Sequence, residues 1–191
     1  MNKKWEVFAI PFDTTHTWLL NKHYAKRIPS IVYAYGVFVD HVMQGVITYG
    51  IPASPSLTMG VCGIEHRDKV VELNRLAILE NHDKNLASYF VAQTLKMLPK
   101  PLVVVSYADT SMGHVGYIYQ ATNFLFTGTT KKRTDMAGKD GKHSRHHLGD
   151  RTNRINRSAK HRYVYFIGTK KEKKVLRNAL RYDINNEYPK Y

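Results

Sequence analysis

Three consecutive segments in the middle of the chain constrain the fold more than any other part of the sequence. Val70 to Ile78 predicts a strand, Asn85 to Leu98 carries apolar residues at helical spacing, and Leu102 to Tyr107 predicts a second strand. The run from Val103 to Val105 is typical of a strand that is buried on both faces. This order is a βαβ unit, and it predicts an α/β fold.

The remaining pattern adds strands and helices on either side of this unit. Further strands are predicted at Glu6 to Ile10, Ile31 to Val39, Met43 to Tyr49, Leu125 to Thr130 and Tyr163 to Gly168. Further helices are predicted at Thr14 to Lys22, Gly113 to Asn123 and Lys170 to Arg181. Val39-Asp40-His41 is interpreted as a tight hairpin link, and Ile51 to Arg67 as a long loop with little regular structure.

Length and composition predict one domain that occupies residues 1–191. A chain of 191 residues with 43% hydrophobic residues is long enough for a single packed core. No stretch approaches the roughly 18 apolar residues of a membrane span, and the single Cys62 excludes an internal disulfide or a thiolate-rich zinc site. We therefore expect a cytoplasmic protein that is neither exported nor embedded in a membrane.

The positive charge is concentrated in the last third of the chain. Residues 1–130 carry 11 basic and 9 acidic side chains, whereas residues 131–191 carry 18 and 6, so most of the net charge of +14 lies there. The segment 131–162 has few large apolar residues and is predicted to be a mobile or partner-ordered insertion that contacts phosphates. Its candidate contacts are Lys131, Lys132, Arg133, Arg145, Arg151, Arg154, Arg157, Lys160 and Arg162. His143, His146 and His147 lack acidic or thiolate companions, which favours a solvated arm over a metal site.

The connection inside the βαβ unit is a candidate anion site. A polar loop that opens a helix presents unpaired backbone N–H groups and the positive end of the helix dipole, which suits a pyrophosphate. Asn85 and Ser88 are the candidate ligand-binding residues there, although a plain connection with Asn85 as the helix cap is the alternative. Arg75 lies among apolar strand residues, so we expect its guanidinium to reach an anion, either a ligand or a carboxylate such as Asp109.

A second group of polar residues follows the other strand of the unit. Asp109, His114 and Tyr119 come after the end at which open α/β sheets bind ligands, and His23 and Tyr24 follow the first helix. Such groups transfer protons or bind a hard metal ion such as iron. The alternatives are that Asp109 caps a helix and that Tyr119 belongs to the core.

Several blocks in a fixed order carry a resemblance to a known family. They are Lys22-His23-Tyr24-Ala25-Lys26-Arg27-Ile28-Pro29, Tyr35-Gly36-Val37-Phe38, Ile51-Pro52-Ala53-Ser54-Pro55-Ser56, Glu72-Leu73-Asn74-Arg75-Leu76-Ala77, Ser106-Tyr107-Ala108-Asp109, Gly113-His114-Val115-Gly116 and Tyr119-Gln120-Ala121-Thr122-Asn123-Phe124. Together, over roughly His23 to Lys190, they resemble the Mom family of bacteriophage DNA-modification proteins.

The resemblance implies a fold, an activity and a set of site residues. The fold would be a GNAT-like mixed central β-sheet flanked by helices, with a basic C-terminal insertion. The activity would convert adenine in double-stranded phage DNA to N6-carbamoylmethyladenine in the host cytoplasm, which protects the DNA from host restriction enzymes. The implied cofactors are iron and acetyl-CoA or another small carbon donor. The implied catalytic residues are His23, Tyr24, Asp109, Tyr119 and Arg75, of which the first four are also associated with iron.

Two other functions fit the same residues less completely. An ordinary GNAT acetyltransferase would act on a small amine or a protein and would turn over acetyl-CoA without DNA. A DNA-binding protein without enzymatic activity would explain the basic segment but would leave Arg75, Asp109 and the His23-Tyr24 pair without a role. The sequence leaves open whether the chain forms a homodimer.

Overall fold

The computed structural model describes residues 4–136 and 154–191. Its strands are β1 (Trp5–Ala9), β2 (Tyr33–Val39), β3 (Val42–Gly50), β4 (Val70–Ile78), β5 (Leu102–Asp109), β6 (Leu125–Thr129), β7 (Arg133–Met136), β8 (Arg154–Arg157) and β9 (Lys160–Ile167). Its α-helices are α1 (His16–Asn21), α2 (Pro55–Cys62), α3 (Leu86–Met97), α4 (Tyr117–Ala121) and α5 (Lys170–Asn178). Seven strands form one sheet in the order β1-β2-β3-β4-β5-β9-β6, and β7 and β8 form a separate ribbon.

The predicted βαβ unit is confirmed and forms the centre of the sheet. β4 and β5 are parallel, whereas the other neighbouring strands of the sheet are antiparallel. Val103, Val104 and Val105 are fully buried, as their continuous apolar run predicts. Val104 packs in a core with residues of α3, and Val103 and Val105 pack in a second core with residues of α2 and α5. Helices therefore cover both faces of this mixed sheet.

The two parallel strands separate at their C-terminal ends. Their pairing ends at Leu73 and Ser106, although both strands continue beyond these residues. β4 also contains a bulge, because Thr48 pairs with Arg75 while the next residue of β3 pairs with Leu73, which leaves Asn74 as the extra residue. The amide of Asn74 donates to the Ser30 carbonyl at 2.8 Å and accepts from the Thr48 hydroxyl at 2.6 Å. Beyond this bulge, the gap between β4 and β5 opens into the cavity described below.

The predicted loop from Ile51 to Arg67 is wrong. This stretch contains α2 and a 3₁₀ segment, Ile64–Lys69. The Ser54 hydroxyl accepts from the Leu57 N–H, Pro55 occupies the first turn, and Gly63 follows the last residue with a φ of 83°. The proline and glycine therefore mark the two ends of a helix rather than interrupting regular structure.

The two ends of the segment 131–162, which is predicted to be mobile or ordered by a partner, contain regular structure that the sequence did not predict. β7 and β8 pair antiparallel there, from Arg133 opposite Arg157 to Met136 opposite Arg154. β6 and β9 pair antiparallel, which brings both ends of the insertion together. The backbone hydrogen bonds between β7 and β8 therefore form without an apolar core. The candidate residues Arg145, Arg151, His143, His146 and His147 lie outside the described residues.

The predicted hairpin between β2 and β3 is confirmed. Its two linking residues, Asp40 and His41, have φ values of 49° and 68°, which match the left-handed conformation of a two-residue turn. Among the helices in the described ranges, none is long and apolar enough to cross a membrane.

Candidate active site

A cavity of about 590 Å³ lies beyond the point where β4 and β5 separate. Its walls come from the segment after α1, from β4, from the first turn of α3, from β5, from α4 and from the start of β9. Eight of the sequence-predicted residues line it: His23, Tyr24, Arg75, Asn85, Ser88, His114, Tyr119 and Lys160. The fold thus brings together groups that are up to 137 positions apart in the sequence.

Asp109 lies at the end of β5 and is buried among hydrogen-bond donors. Its Oδ2 contacts the Lys160 Nζ at 2.7 Å, and its Oδ1 accepts from the hydroxyls of Ser111 and Ser158. It also caps the following 3₁₀ turn by accepting from the Ser111 N–H. Burial acts to raise the pKa of Asp109, but hydrogen bonds from Lys160, Ser158 and Ser111 hold this pKa well below its usual range. Asp109 is therefore an ionised carboxylate whose acceptor positions are largely used within the protein.

Arg75 does not pair with Asp109. Its Nη1 donates to the Asn74 carbonyl at 2.6 Å, whereas its Nε is buried without a hydrogen-bond partner among the described residues. Burial and the neighbouring Arg27 lower the pKa of Arg75, but a guanidinium remains protonated in proteins. Arg75 is expected from the sequence to reach either a ligand or a carboxylate such as Asp109. A buried cationic N–H without an acceptor among the described residues favours the ligand, with Arg75 binding its anionic or carbonyl group.

His23 and Tyr24 form a stacked pair at the cavity. Their ring centroids are 4.5 Å apart, and Tyr24 also meets the His114 ring edge-on at 5.8 Å. The Nδ1 of His23 accepts from the Ala25 N–H, so the neutral ring carries its proton on Nε2. Burial, together with the positive charge of Arg75 and other cations, lowers the pKa of His23 to about 4. His23 is therefore neutral at pH 7.

Tyr119 lies on α4 against the aromatic core. Its ring contacts those of Phe124 and Tyr163, and burial raises its pKa to about 12 despite a hydrogen bond with Ser106. The Ser106 hydroxyl, which lies beside Tyr119, donates to the Leu73 carbonyl at 2.9 Å. Tyr119 thus belongs to the core and also places a protonated phenol at the point where the strands separate.

The first turn of α3 faces the cavity with little side-chain capping. Asn85 is the N-cap residue of α3, as the alternative predicts, but it has a φ of 69° and its side chain makes no capping hydrogen bond. The Ser88 hydroxyl donates to the Asn85 carbonyl at 3.0 Å. Lys84, Asn85 and Ser88 all line the cavity. The helix dipole and Lys84 therefore place positive potential at this wall.

Two features of the site were missed by sequence reasoning. Glu72 on β4 lines the cavity and makes no hydrogen bond or ion pair with the described residues. Burial raises the pKa of Glu72, while Arg75, Lys160 and Arg27 act to lower it. A lone carboxylate in the apolar strand from Val70 to Ile78 was the available signal. The second feature is that Lys160, predicted as a phosphate contact, holds Asp109 instead.

Three of the four residues expected to bind iron, His23, Tyr24 and Tyr119, line the cavity, and the fourth, Asp109, binds Lys160 at its wall. Within residues 4–136 and 154–191, no three His, Cys, Asp or Glu side chains lie close enough together to hold a metal ion. The Asp109 carboxylate forms a salt bridge with the Lys160 ammonium, and the His23 Nδ1 accepts a hydrogen bond from the Ala25 N–H. The iron implied by the resemblance stays a prediction, and no chemical step below is derived through it.

In the described part of the basic segment, some cationic side chains are exposed and others are held by contacts within the protein. Lys131, Lys132, Arg133 and Arg154 are exposed, and the last two lie on the β7–β8 ribbon. Arg162 is engaged within the protein, because its Nε and Nη2 donate to Thr127 and its guanidinium lies 3.3 Å from the centre of the Tyr182 ring. The ribbon and the two lysines before it therefore carry exposed cations that a polyanion can contact.

Comparison with known proteins identifies the family. The sequence model of the Mom protein family matches residues 4–190, which include every residue of the cavity except Tyr191. The chain belongs to the Mom family. The methylcarbamoylase Mom of Escherichia phage Mu is 29% identical over 133 residues, which cover 67% of this chain and 55% of that protein. The Mom chain described here thus spans about half the length of this curated relative.

Solved acetyltransferases have the same fold as this Mom family chain. An N-acetyltransferase from Staphylococcus aureus has a TM-score of 0.51 at 12% identity and covers 85% of this chain and 98% of its own. A polyamine N-acetyltransferase from Drosophila melanogaster has a TM-score of 0.52 at 11% identity, with coverages of 86% and 100%. The Salmonella typhimurium protein yncA, solved with its cofactor acetyl-CoA, has a TM-score of 0.51 at 10% identity, with coverages of 86% and 95%. These similarities confirm the GNAT-like mixed sheet.

Proposed function

We propose that this Mom family chain is a transferase that converts adenine in double-stranded DNA to N6-carbamoylmethyladenine and thereby protects phage DNA from host restriction enzymes. The observation that carries this proposal is the family match over residues 4–190, which takes in the walls of the cavity. The phage Mu relative is named a methylcarbamoylase, which supports the nature of the transferred group.

The chemistry requires a base beside the acceptor nitrogen. The adenine N6 is conjugated with the ring and is a weak nucleophile. As its electron pair forms the N–C bond to the donor carbon, the bond from that carbon to its leaving group breaks and N6 loses a proton. Glu72 is the cavity carboxylate that is free to accept this proton, because its oxygens have no partner among the described residues. Asp109, bound to Lys160, is a weaker base and acts in this proposal as a positioning residue.

The donor would lie between Arg75 and the first turn of α3. Arg75 offers a buried N–H without an acceptor, and Lys84 and the helix dipole add positive potential. This wall suits a small donor that has an anionic group and carries its leaving group on the methylene carbon of a carbamoylmethyl group. Acetyl-CoA alone would by the same step place an acetyl group on N6. Tyr119 holds a phenolic proton at the same end of β5 and is a candidate donor to the leaving group.

The acceptor base must leave the duplex to reach this cavity. The N6 of a stacked base lies inside the groove, so enzymes that react with it extrude the nucleotide into a pocket. The exposed cations of the ribbon and of the two residues before it would hold the flanking phosphates: Lys131, Lys132, Arg133 and Arg154.

Reversing the charge of two ribbon arginines should weaken DNA binding without changing sequence preference. In Arg133→Glu/Arg154→Glu, we expect the slope of log K against log salt to become shallower by about 2, because about 0.9 counterions are released per phosphate contact. Fluorescence anisotropy with duplex DNA at several salt concentrations measures this slope. Lys96→Glu/Lys100→Glu is the control with the same change of charge on exposed residues outside the ribbon. An unchanged slope in the ribbon variant would remove the ribbon from the DNA interface.

Nucleoside mass spectrometry tests the proposed function. Plasmid DNA from cells that express the wild type should contain a heavier adenosine, whose added mass identifies the transferred group. Plasmid DNA from cells that express Asp109→Ala should not contain it, while the purified variant should still bind DNA. Unmodified DNA from cells that contain soluble, folded wild type would count against the proposal.

The GNAT-like fold supports a second candidate, an acetyltransferase that acts on a small amine or a protein. The fold similarity to yncA, which uses acetyl-CoA as its cofactor, is the observation that favours it. This candidate predicts stoichiometric release of coenzyme A from acetyl-CoA when an amine is supplied in the absence of DNA. The proposed DNA modification predicts no such release.

A further inference from the structure

Exposed aromatic side chains are concentrated at the active-site cavity. Within residues 4–136 and 154–191, five aromatic side chains are exposed: Phe8, Phe12, Tyr24, Tyr117 and Tyr191. Three of these five line the cavity, although the cavity is formed by a small part of the chain. Leaving a large ring in water forgoes burial free energy, so a group of exposed rings around a cavity favours a ligand that covers them.

Tyr117 is the most exposed of the cavity aromatics apart from the last residue, with 64% of its surface accessible. It is the first residue of α4 and follows Gly116, which has a φ of 78°. A Cβ at Gly116 would overlap the Tyr163 ring, so the backbone before Tyr117 lies directly on the core. Tyr117 is therefore held at the surface by a closely packed backbone.

Hydrogen bonds also hold the turn that precedes Tyr117. The Tyr163 hydroxyl and the Gln120 side-chain amide both donate to the Val115 carbonyl. The Gln120 amide also donates to the Pro189 carbonyl at 3.1 Å. The turn that presents Tyr117 is thus anchored to the core and to the C-terminal segment. An aromatic ring that is exposed on a rigid support loses little conformational freedom when it binds a flat ligand.

Two other rings of the cavity suit a purine base. The Tyr24 and His114 rings also line the cavity and lie edge-to-face at 5.8 Å. Aromatic side chains bind extruded bases by stacking on their faces, while polar groups contact the base edge. A volume of about 590 Å³ is within the ~300–1,000 Å³ of pockets that enclose small organic molecules.

We propose that Tyr117 is the stacking platform on which the extruded purine base lies in the cavity, with Tyr24 and His114 as its neighbouring rings. This inference rests on the proposed function and names where its acceptor base binds. Glu72 lines the same cavity and is the carboxylate available to the exocyclic amine of a base held there. Tyr117 acts on binding of the base and has no part in the transfer of the proton.

The experiment compares two duplexes of equal charge. One duplex carries a single bulged adenine, and the other carries an abasic sugar at the same position, so base pairing is absent in both. The wild type should bind the adenine bulge about 5- to 150-fold more tightly, which is the range that corresponds to stacking of one base. Tyr117→Ala should abolish this preference while its affinity for the abasic duplex stays that of the wild type.

Two control variants separate stacking from other effects. Tyr117→Phe retains the ring and should keep the preference. Phe8→Ala removes an exposed ring that does not line the cavity and should also keep it. A Tyr117→Ala variant that still prefers the adenine bulge, or a wild type without any preference, would overturn the assignment. If the preference depends on Tyr117 but the wild type modifies no DNA in cells, the base site stands and the proposed transfer reaction fails.

Discussion

Replacing Glu72 by Gln should reduce adenine modification by about 10²- to 10⁴-fold, the usual contribution of a general base. The amide has nearly the same shape as the carboxylate but does not accept the proton that leaves the acceptor nitrogen. Glu72 makes no hydrogen bond or ion pair with the described residues, so the variant should keep its fold. The measurement is the initial rate of carbamoylmethyladenine formation, together with the affinity for duplex DNA, which should remain within about twofold of the wild type because Glu72 makes no phosphate contact in this proposal.

The control for this prediction is Glu80→Gln, the same chemical change at an exposed residue outside the cavity. It should modify DNA at the wild-type rate. A Glu72→Gln variant that retains most of the activity would assign the proton transfer to another group. A loss of DNA affinity in step with the loss of activity would instead indicate that Glu72 shapes the binding site.

The pH dependence should separate Glu72 from its neighbours. A base must be deprotonated, so activity should rise with pH through the pKa of Glu72, which burial raises and the facing cations Arg75, Lys160 and Arg27 lower. His23, whose pKa is lowered to about 4, lines the same cavity and also titrates under acid conditions. The cavity tyrosines Tyr24, Tyr107 and Tyr119 have raised pKa values and stay protonated. In the pH profile of Glu72→Gln, the residual activity should therefore not show the fall at acid pH that protonation of Glu72 causes in the wild type.

Local patterns predicted the centre of the fold but not its irregular parts. The βαβ unit and the first hairpin follow from apolar periodicity and from the positions of polar residues, and both are confirmed. α2 was missed because Pro52, Pro55 and Gly60 were interpreted as breaking the pattern, whereas Pro55 after Ser54 matches the start of a helix and Gly60 lies within it. The β7–β8 ribbon was missed because its ladder depends on backbone hydrogen bonds and on pairing of the flanking strands, which leave no apolar pattern.

The residue types of the site could be predicted, but their contacts could not. The proximity of His23 and Tyr24 to Arg75 depends on the seven-stranded sheet and does not follow from spacing. Lys160 was interpreted as a phosphate contact because its partner, Asp109, is 51 positions away. The bulge at Asn74, which places Arg75 opposite Thr48, is a property of the β3–β4 pairing. Pair contacts of this kind are decided by tertiary structure and leave no periodic signal in one sequence.

Replacing Asp109 by Asn should destabilise the protein and stop modification at the same time. The Lys160 ammonium would lose its carboxylate partner, and two serine hydroxyls would lose a charged acceptor. Hydrogen bonds to charged groups contribute about 1.5–3 kcal/mol, and because Lys160 is one-third exposed we expect the low end, about 1–2 kcal/mol or roughly 2–8 °C in Tm. Thermal unfolding followed by circular dichroism measures this loss. Asp40→Asn, in which an exposed carboxylate that accepts one backbone N–H becomes a neutral amide, is the control and should change Tm by less.

The difference in stability between the wild type and Asp109→Asn should itself depend on pH. Although burial acts to raise the pKa of Asp109, its hydrogen bonds lower this pKa below its usual range, so the folded state binds the proton more weakly than the unfolded state. The stabilisation is therefore complete above the ordinary aspartate pKa of about 3.9 and is lost as the pH falls below it. The two Tm curves should lie apart at pH 7 and approach each other below about pH 4. Parallel curves would show that Asp109 is not the ionised partner of Lys160. In that case the active-site carboxylates would have to be reassigned, because the choice of Glu72 as the base depends on Asp109 being engaged.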